Sequence, residues 1–332
     1  MVRNKKYAVI TFDYEVFLGR KTGTINKCVI RPTEAILEIL KKYNAKAIFF
    51  VDTTWLLFIK EYYPEDFDIV VTQLRNIILS GSSVELHLHP QWIDAEKTAK
   101  GIVFRTYKHY KLHSLPRDEI NNLFSKSADL LHNITGVRLT CFRAGGWAIE
   151  PFTELKEAFV NNGLKFDFSV VPGMVIREGK SYDIDFSESP SGLFYRFEHD
   201  TGSVDPDGSF VEFPMSTFRN NPVYRVLNKV FLKISKDGPF GDGAGSKDRT
   251  FRGTLTHLLS FSVEKFSLDK TMNILFRFIL RVHLRKRKLI VAVSHPKTAS
   301  PEALRNLKFL AENYVTLNSY ELGEYIKHVH GL

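Results

Sequence analysis

The chain has 332 residues, 44% hydrophobic and 25% charged, with 27 Phe, 13 Tyr and a net charge of +9. That balance excludes a disordered chain, a collagen and a small disulfide scaffold, and the two cysteines, Cys28 and Cys141, make neither a disulfide framework nor a CxxC metal knuckle, so a reducing cytoplasm is their simplest setting. The excess charge suits an anionic partner such as a phosphorylated sugar or a membrane surface, and no nucleic-acid recognition motif accompanies it.

The opening MVRNKKYAVITFDYE puts basic residues before apolar ones, but the run Tyr7–Phe12 is short, ends at Asp13 and has no small-residue cleavage site. It reads as a first buried strand and not as a signal peptide. Thr33–Tyr43 carries Ile36, Leu37, Leu40 and Tyr43 at helical spacing behind Pro32. Lys46–Val51 is strand-like. Asp66–Ser80 is helical and stops at Gly81, where glycine can take positive φ. Val84–His89 is a strand, and Arg117–Thr135 a helix stopped by Gly136. Leu139–Phe142, Phe166–Val170 and Phe210–Phe213 read as strands, with a helix over Thr153–Asn162. Leu289–Ser294 is the clearest buried strand. A helix over Ser300–Asn313 follows, with Ser300 as cap and Pro301 in its first turn. Val315–Leu317 and Tyr320–His328 close the chain.

Strands alternating with helices imply parallel pairing through right-handed crossovers. About seven such units suit a (β/α) barrel or a doubly wound sheet, and in a barrel the chemistry gathers where strands end. The interval 215–287 breaks the alternation. It reads as an insertion in a single domain spanning 1–332, with helical stretches around the loop GPFGDGAG, Gly238–Gly245. No Gly-Lys-Ser/Thr follows that loop, so it is not a Walker A sequence. A flexible connection is one reading of it, and a lid or substrate-phosphate contact the other.

The strand ends are polar. The first runs into Asp13-Tyr14-Glu15, the third into His87-Leu88-His89-Pro90, the fourth into Arg143-Ala144-Gly145-Gly146-Trp147, and the late strand into Ser294-His295-Pro296-Lys297. His87 and His89 are two apart, so both imidazoles share a strand face and can address one ion. A carboxylate would complete an open site of the zinc type. Asp13 and Glu15 are also two apart; one can ligate while the other serves as base. Arg143 can pair with Asp13 and hold it ionised and oriented. His295 fits a general acid. Trp147 is a sugar-stacking wall or core, and Trp92 and Tyr14 are further candidate substrate contacts. His109 and His113 have ligand-like i, i+4 spacing on a helix but lie in a Lys- and Tyr-rich stretch that reads as solvated. Arg281–Lys288 (RVHLRKRK) is a solvated helix end, or a contact with anionic lipid or a phosphorylated substrate.

At these residues the chain resembles the polysaccharide deacetylase family, the NodB-homology carbohydrate esterases. TFDYE stands where that family has Thr-Phe-Asp-Asp, ELHLHPQW where it has its histidine motif, FRAGGW where it has an Arg-Pro-Gly-type motif, and SHPK where it has a late histidine. The motifs follow in order over Tyr7–Lys297. The resemblance implies a distorted (β/α)7 barrel with a helical insertion before the last barrel strand. It implies a divalent-metal hydrolase, zinc being the expected ion, that removes N-acyl groups from sugars. By position Asp13 is then the base, His295 the acid and Arg143 the residue that orients the base. Two departures matter. The family's second acid is Tyr14 here, so the ligand role passes to Glu15. The family's second histidine falls on Gln91, and His89 substitutes for it. A cytoplasmic enzyme acting on a nucleotide- or lipid-linked glycan precursor, with peripheral membrane contact, is the expectation. Hydrolysis of another non-peptide C–N bond, such as a formamide or cyclic amide, and a sugar-binding relative without chemistry are the alternatives.

Overall fold

A computed structural model describes residues 6–99, 101–106, 108–177, 183–235, 238–245 and 262–330. Its main sheet is built on strands β1 (Tyr7–Tyr14), β2 (Ile48–Asp52), β3 (Ser83–Leu88), β4 (Cys141–Ala144), β5 (Phe166–Asp167), β6 (Tyr195–Phe197), β7 (Phe210–Glu212), β8 (Leu289–Ser294) and β9 (Val315–Thr316). The spatial order is β6-β7-β5-β4-β3-β2-β1-β8, with β9 paired to the start of β1. Every pairing is parallel except β6 with β7. The sheet curls into a distorted barrel. Met215 and Ser216 span its seam: Met215 N–H donates to the Val170 carbonyl and Ser216 N–H to the Val291 carbonyl on β8.

The reason these strands form is burial on both faces. β2, β3 and β8 are buried throughout, and β1 at all but its first residue. Strands of that kind read as near-continuous apolar runs, which makes Thr11, Asp13, Glu85 and His87 conspicuous inside them. Helices α1 (Arg31–Lys42), α2 (Thr53–Tyr62), α3 (Pro64–Leu79), α4 (Arg117–Thr135), α5 (Lys156–Asn161), α6 (Pro222–Ser235), α7 (Asn273–Val282), α8 (Pro301–Asn313) and α9 (Leu322–His330) connect the strands. Ser300 Oγ caps α8 by accepting the Ala303 N–H at 3.3 Å. Gly81 and Gly136 sit at helix ends with φ of +83° and +73°.

Helix α2 was not expected from the sequence. Its TTWLLFIKEY is apolar on most sides because it is buried against both α3 and α4, so no amphipathic period shows. Asp52, the last residue of β2, starts it by accepting the Trp55 N–H. The expected helical spacing of His109 and His113 is not realised either, since only Leu112–Ser114 makes a short 3₁₀ turn there. The loop Gly238–Gly245 is no loose connection. Its Phe240 N–H donates to the Ala299 carbonyl, Ala244 pairs with Lys21, and Asp242 accepts the Thr24 N–H at 2.8 Å. A Cβ at Gly243 would strike the ring of Phe17, so glycine is what lets the loop lie this close.

Candidate active site

Because β1, β3, β4 and β8 run parallel, their C-terminal ends face one mouth, and the polar residues that close each strand meet there. On β1 the side chains alternate. Thr11, Asp13 and, just beyond, Glu15 turn to the barrel interior, while Phe12 and Tyr14 turn outward to Phe49 and to Gln73 of α3. Pairing of β3 with β4 sets His87 beside Arg143.

Arg143 is fully buried, and each of its three guanidinium nitrogens donates a hydrogen bond. Nε donates to the Phe168 carbonyl at 3.1 Å, Nη2 to Thr11 Oγ1 at 2.9 Å, and Nη1 to Asp13 Oδ1 in a very short ion pair. Its plane lies 4.2 Å from the ring centre of Phe50. Burial pushes the Asp13 carboxyl up, but Arg143, His87 and His295 outweigh it and hold Asp13 below its ordinary value. Asp13 is therefore an ionised carboxylate with one oxygen fixed by Arg143. His295 Nε2 stands 3.5 Å from the other oxygen, Oδ2.

Glu15, His87 and His89 form the second half of the site. All three are buried, and each offers one donor atom within 4.8 Å of the others. His87 Nδ1 lies 2.7 Å from the Arg143 carbonyl, which can only accept, so Nδ1 carries the hydrogen and Nε2 presents a lone pair. That Nε2 has no hydrogen-bond partner and lies 3.8 Å from Glu15 Oε2. His89 Nδ1 lies 3.3 Å from Gln91 Oε1, leaving its Nε2 toward Glu15 Oε2 at 2.8 Å. Burial lowers the His87 pKa, and the neighbouring His89 lowers it further. Burial also disfavours a charged His89, yet Glu15 overrides this and the net shift is upward. Burial would raise Glu15, but Lys297 and His89 hold it well below the usual carboxylate range. Two imidazoles whose Nε2 atoms turn toward one ionised carboxylate, that of His87 buried and without a partner, are a donor set that fits a zinc-type ion. A Cβ at Gly145 would collide with the Leu88 carbonyl and stand 2.8 Å from His89 Nδ1, so the FRAGGW turn needs glycine to close over the histidines.

The structure thus brings Asp13, Glu15, His87, His89, Arg143 and His295 to one place. Trp147 joins them at 9% exposure and φ +66°, its ring 5.4 Å from the Arg143 guanidinium and 5.0 Å from Lys265 Nζ. Two expected substrate contacts fall elsewhere. Tyr14 is fully buried, and its hydroxyl donates to Gln73 Oε1 at 2.8 Å on the outer face of β1. Trp92 is buried between Phe58 and Phe104, with Nε1–H on Asp52 Oδ2 at 2.8 Å. Neither leaves a face for a sugar. His109 and His113 also lie apart from the site. His109 Nδ1 lies 2.9 Å from Asp94 Oδ1, and His113 Nε2 is 3.1 Å from the Pro151 carbonyl.

Three residues at the site were missed. Asp269 Oδ2 accepts from His295 Nδ1 at 2.9 Å. Lys297 Nζ donates to Glu15 Oε1 at 2.9 Å and to the Val16 carbonyl at 2.9 Å. Lys265, beside Trp147, has its pKa lowered by burial against the opposing pull of Asp13 and Asp269. Lys297 stood in the SHPK motif, so its position was visible. The other two leave no periodic signal.

Residues 2–151, which contain Asp13, Glu15, His87, His89 and Arg143, match the family model for polysaccharide deacetylase. No curated protein matches the chain. Among solved structures, a provisionally assigned polysaccharide deacetylase from Mycobacterium smegmatis is 15% identical with a TM-score of 0.50, the alignment covering 99% of this chain and 93% of that one. The peptidoglycan deacetylase PdaC from Bacillus subtilis is 15% identical over 99% of this chain and 95% of that one, TM-score 0.42. BA3943, a CE4 family pseudoenzyme from Bacillus anthracis, is 15% identical over 96% and 66%, TM-score 0.43. At such identities the likeness to the mycobacterial structure is one of fold.

Proposed function

We propose, from the match of residues 2–151 to the polysaccharide deacetylase family model and from the site's geometry, that the protein is a metal-dependent hydrolase that removes the N-acetyl group of a sugar in a glycan or a nucleotide- or lipid-linked glycan precursor. One observation carries the reading: His295 Nε2 lies 3.5 Å from Asp13 Oδ2 and 3.8 Å from Glu15 Oε1, so an acid, a base and the metal-type donors converge on one point. Glu15, His87 and His89 would hold the ion, zinc by the choice of donors. A divalent ion held there supplies a Lewis acid for the amide carbonyl and makes an attacking water more acidic. Asp13 takes the water's proton at Oδ2, since Oδ1 is occupied by Arg143. His295 then delivers a proton from Nε2 to the departing amine, which leaves poorly as an anion. Asp269 fixes the opposite ring nitrogen and balances the imidazolium. Trp147 and Lys265 border the space where the sugar would lie.

The test is acetate release from N-acetylglucosamine oligomers, with the protein stripped of metal and then reconstituted with zinc. Release that depends on added metal supports the reading. A stoichiometrically metal-loaded protein that binds the oligomers and releases no acetate would identify a sugar-binding relative that has lost the chemistry.

A further inference from the structure

Helix α6 is amphipathic in the wrong sense for a helix packed on a core. Val223, Val226, Leu227, Val230 and Phe231 recur at i, i+3, i+4, i+7 and i+8, the spacing of an apolar stripe that ordinarily faces inward. Here all five are exposed, Val223 at 62%. The inward side is polar. Arg225 is buried, with Nε 2.8 Å from Glu264 Oε1, and Asn228 donates to the Lys270 carbonyl at 2.7 Å while accepting the Met272 N–H.

Helix α7 extends the same surface. Ile274, Phe278 and Val282 lie at i, i+4 and i+8 and are exposed at 77%, 38% and 55%. Tyr224 and Phe278 touch, with ring centres 5.2 Å apart, so the two stripes adjoin. Basic residues border them: Lys229 and Lys233 on α6, and Arg277, Arg281, Arg285 and Lys286 on and after α7, all exposed. No acidic residue lies in either helix. The other side of the pair lines a cleft of about 760 Å³ that also takes in His295 and Asp269. Asn228 and Leu232 come to it from α6, and Leu275 and Ile279 from α7.

The geometry points to the α6–α7 face as a docking surface for an anionic lipid bilayer, which holds the cleft on the other side of the helix pair close to the membrane. An apolar stripe bordered by cations is the chemistry of an interfacial helix: apolar side chains enter the headgroup–acyl boundary and Lys or Arg pair with acidic headgroups. The net charge of +9 favours the same partner. No described helix is long and apolar enough to cross a membrane. The purpose of docking rests on the deacetylase reading, because it would bring a lipid-linked sugar to His295. The docking itself does not.

The experiment is co-sedimentation of the full chain with vesicles of phosphatidylcholine alone and with about one-third phosphatidylglycerol, at low and at about 0.5 M salt. Binding is expected to the anionic vesicles at low salt and to fall in high salt. The pair Val226→Asp and Phe231→Asp, on exposed positions, should leave the melting temperature and acetate release from a short soluble sugar unchanged while weakening vesicle binding about tenfold or more. Three results overturn the proposal: no binding to anionic vesicles at low salt, binding indifferent to the paired substitution, or a dimer by light scattering that the substitution dissociates, which would give the stripe to a second copy. Vesicle binding without acetate release leaves docking intact and removes only the catalytic reading.

Discussion

Asp269 and His295 form a dyad in which one carboxylate fixes the imidazole ring. Its Oδ2 accepts from His295 Nδ1 at 2.9 Å and from Thr298 Oγ1 at 2.8 Å, and its Oδ1 accepts from Ser294 Oγ at 2.6 Å. The carboxylate is therefore held by β8 and the turn after it, the elements that place His295. This directs Nε2 to Asp13 and would give the imidazolium a partner in the proposed role of acid.

Removing the dyad should hurt the step that needs a proton. Asp269→Ala and His295→Ala are each expected to lower kcat on an N-acetyl sugar by about 100-fold or more, with KM little changed. On an aryl acetate, whose leaving group departs without a proton, the losses should be small. Comparable losses on the two substrates would assign the pair a structural role instead.

The ion pair of Arg143 with Asp13 separates catalysis from stability. Asp13→Asn keeps a hydrogen-bond acceptor for Arg143 but cannot take a proton at neutral pH, so activity should drop about 100- to 10,000-fold. Arg143→Met leaves a buried carboxylate without its partner, a change expected to cost about 3–5 kcal/mol in denaturant unfolding. An Arg143→Met protein as stable as the parent would show that Asp13 is ionised by other neighbours.

Metal content should follow the donor atoms. His87→Ala and His89→Ala are each expected to abolish stoichiometric zinc, measured by elemental analysis after dialysis, while circular dichroism is retained. Gln91→Ala removes the partner of His89 Nδ1 and should weaken zinc affinity about 10- to 100-fold without abolishing it. Full occupancy in the double histidine variant would move the metal away from these residues.

The site was largely legible because its strands are buried on both faces. In such a strand a polar residue is expensive unless it has a task, so Asp13, His87 and Arg143 stand out in single sequence, and the period of two places Glu15 with Asp13 and His89 with His87. The same period would have put Tyr14 on the opposite face, against Gln73, had it been applied to that residue. Trp92 follows a Pro-initiated 3₁₀ turn, where strand periodicity no longer informs direction. Asp269 and Lys265 reach the site from the segment after Ser262, across distances in sequence that no local pattern encodes. The stripe on α6 has the spacing of a core-facing helix, and only the partners on its polar side, Glu264 and Lys270, show that it is turned outward.

A second pair of buried carboxyls gives the fold its own dependence on pH. Asp167 and Glu212 close β5 and β7, both are fully buried, and their carboxyl groups hydrogen-bond to each other. Asp167 also accepts from the Ser169 N–H and Oγ at 2.9 and 2.8 Å, whereas Glu212 Oε2 has no donor of its own. Burial, then the neighbouring Asp167, raises the Glu212 carboxyl well above the 4.5 of a free glutamate. One proton between the two groups satisfies both. A group whose folded pKa is raised is most stabilising below its unfolded value, and that stability is lost as pH rises through the folded value. The parent protein should therefore lose stability on going upward from about pH 5. Glu212→Gln supplies the N–H donor at every pH. It is expected to raise the melting temperature at neutral and alkaline pH, to change it little near pH 4.5, and to flatten the slope between. A parallel, unshifted pair of melting curves for parent and variant would show that Glu212 is ionised in the fold and that Arg143 balances both carboxylates.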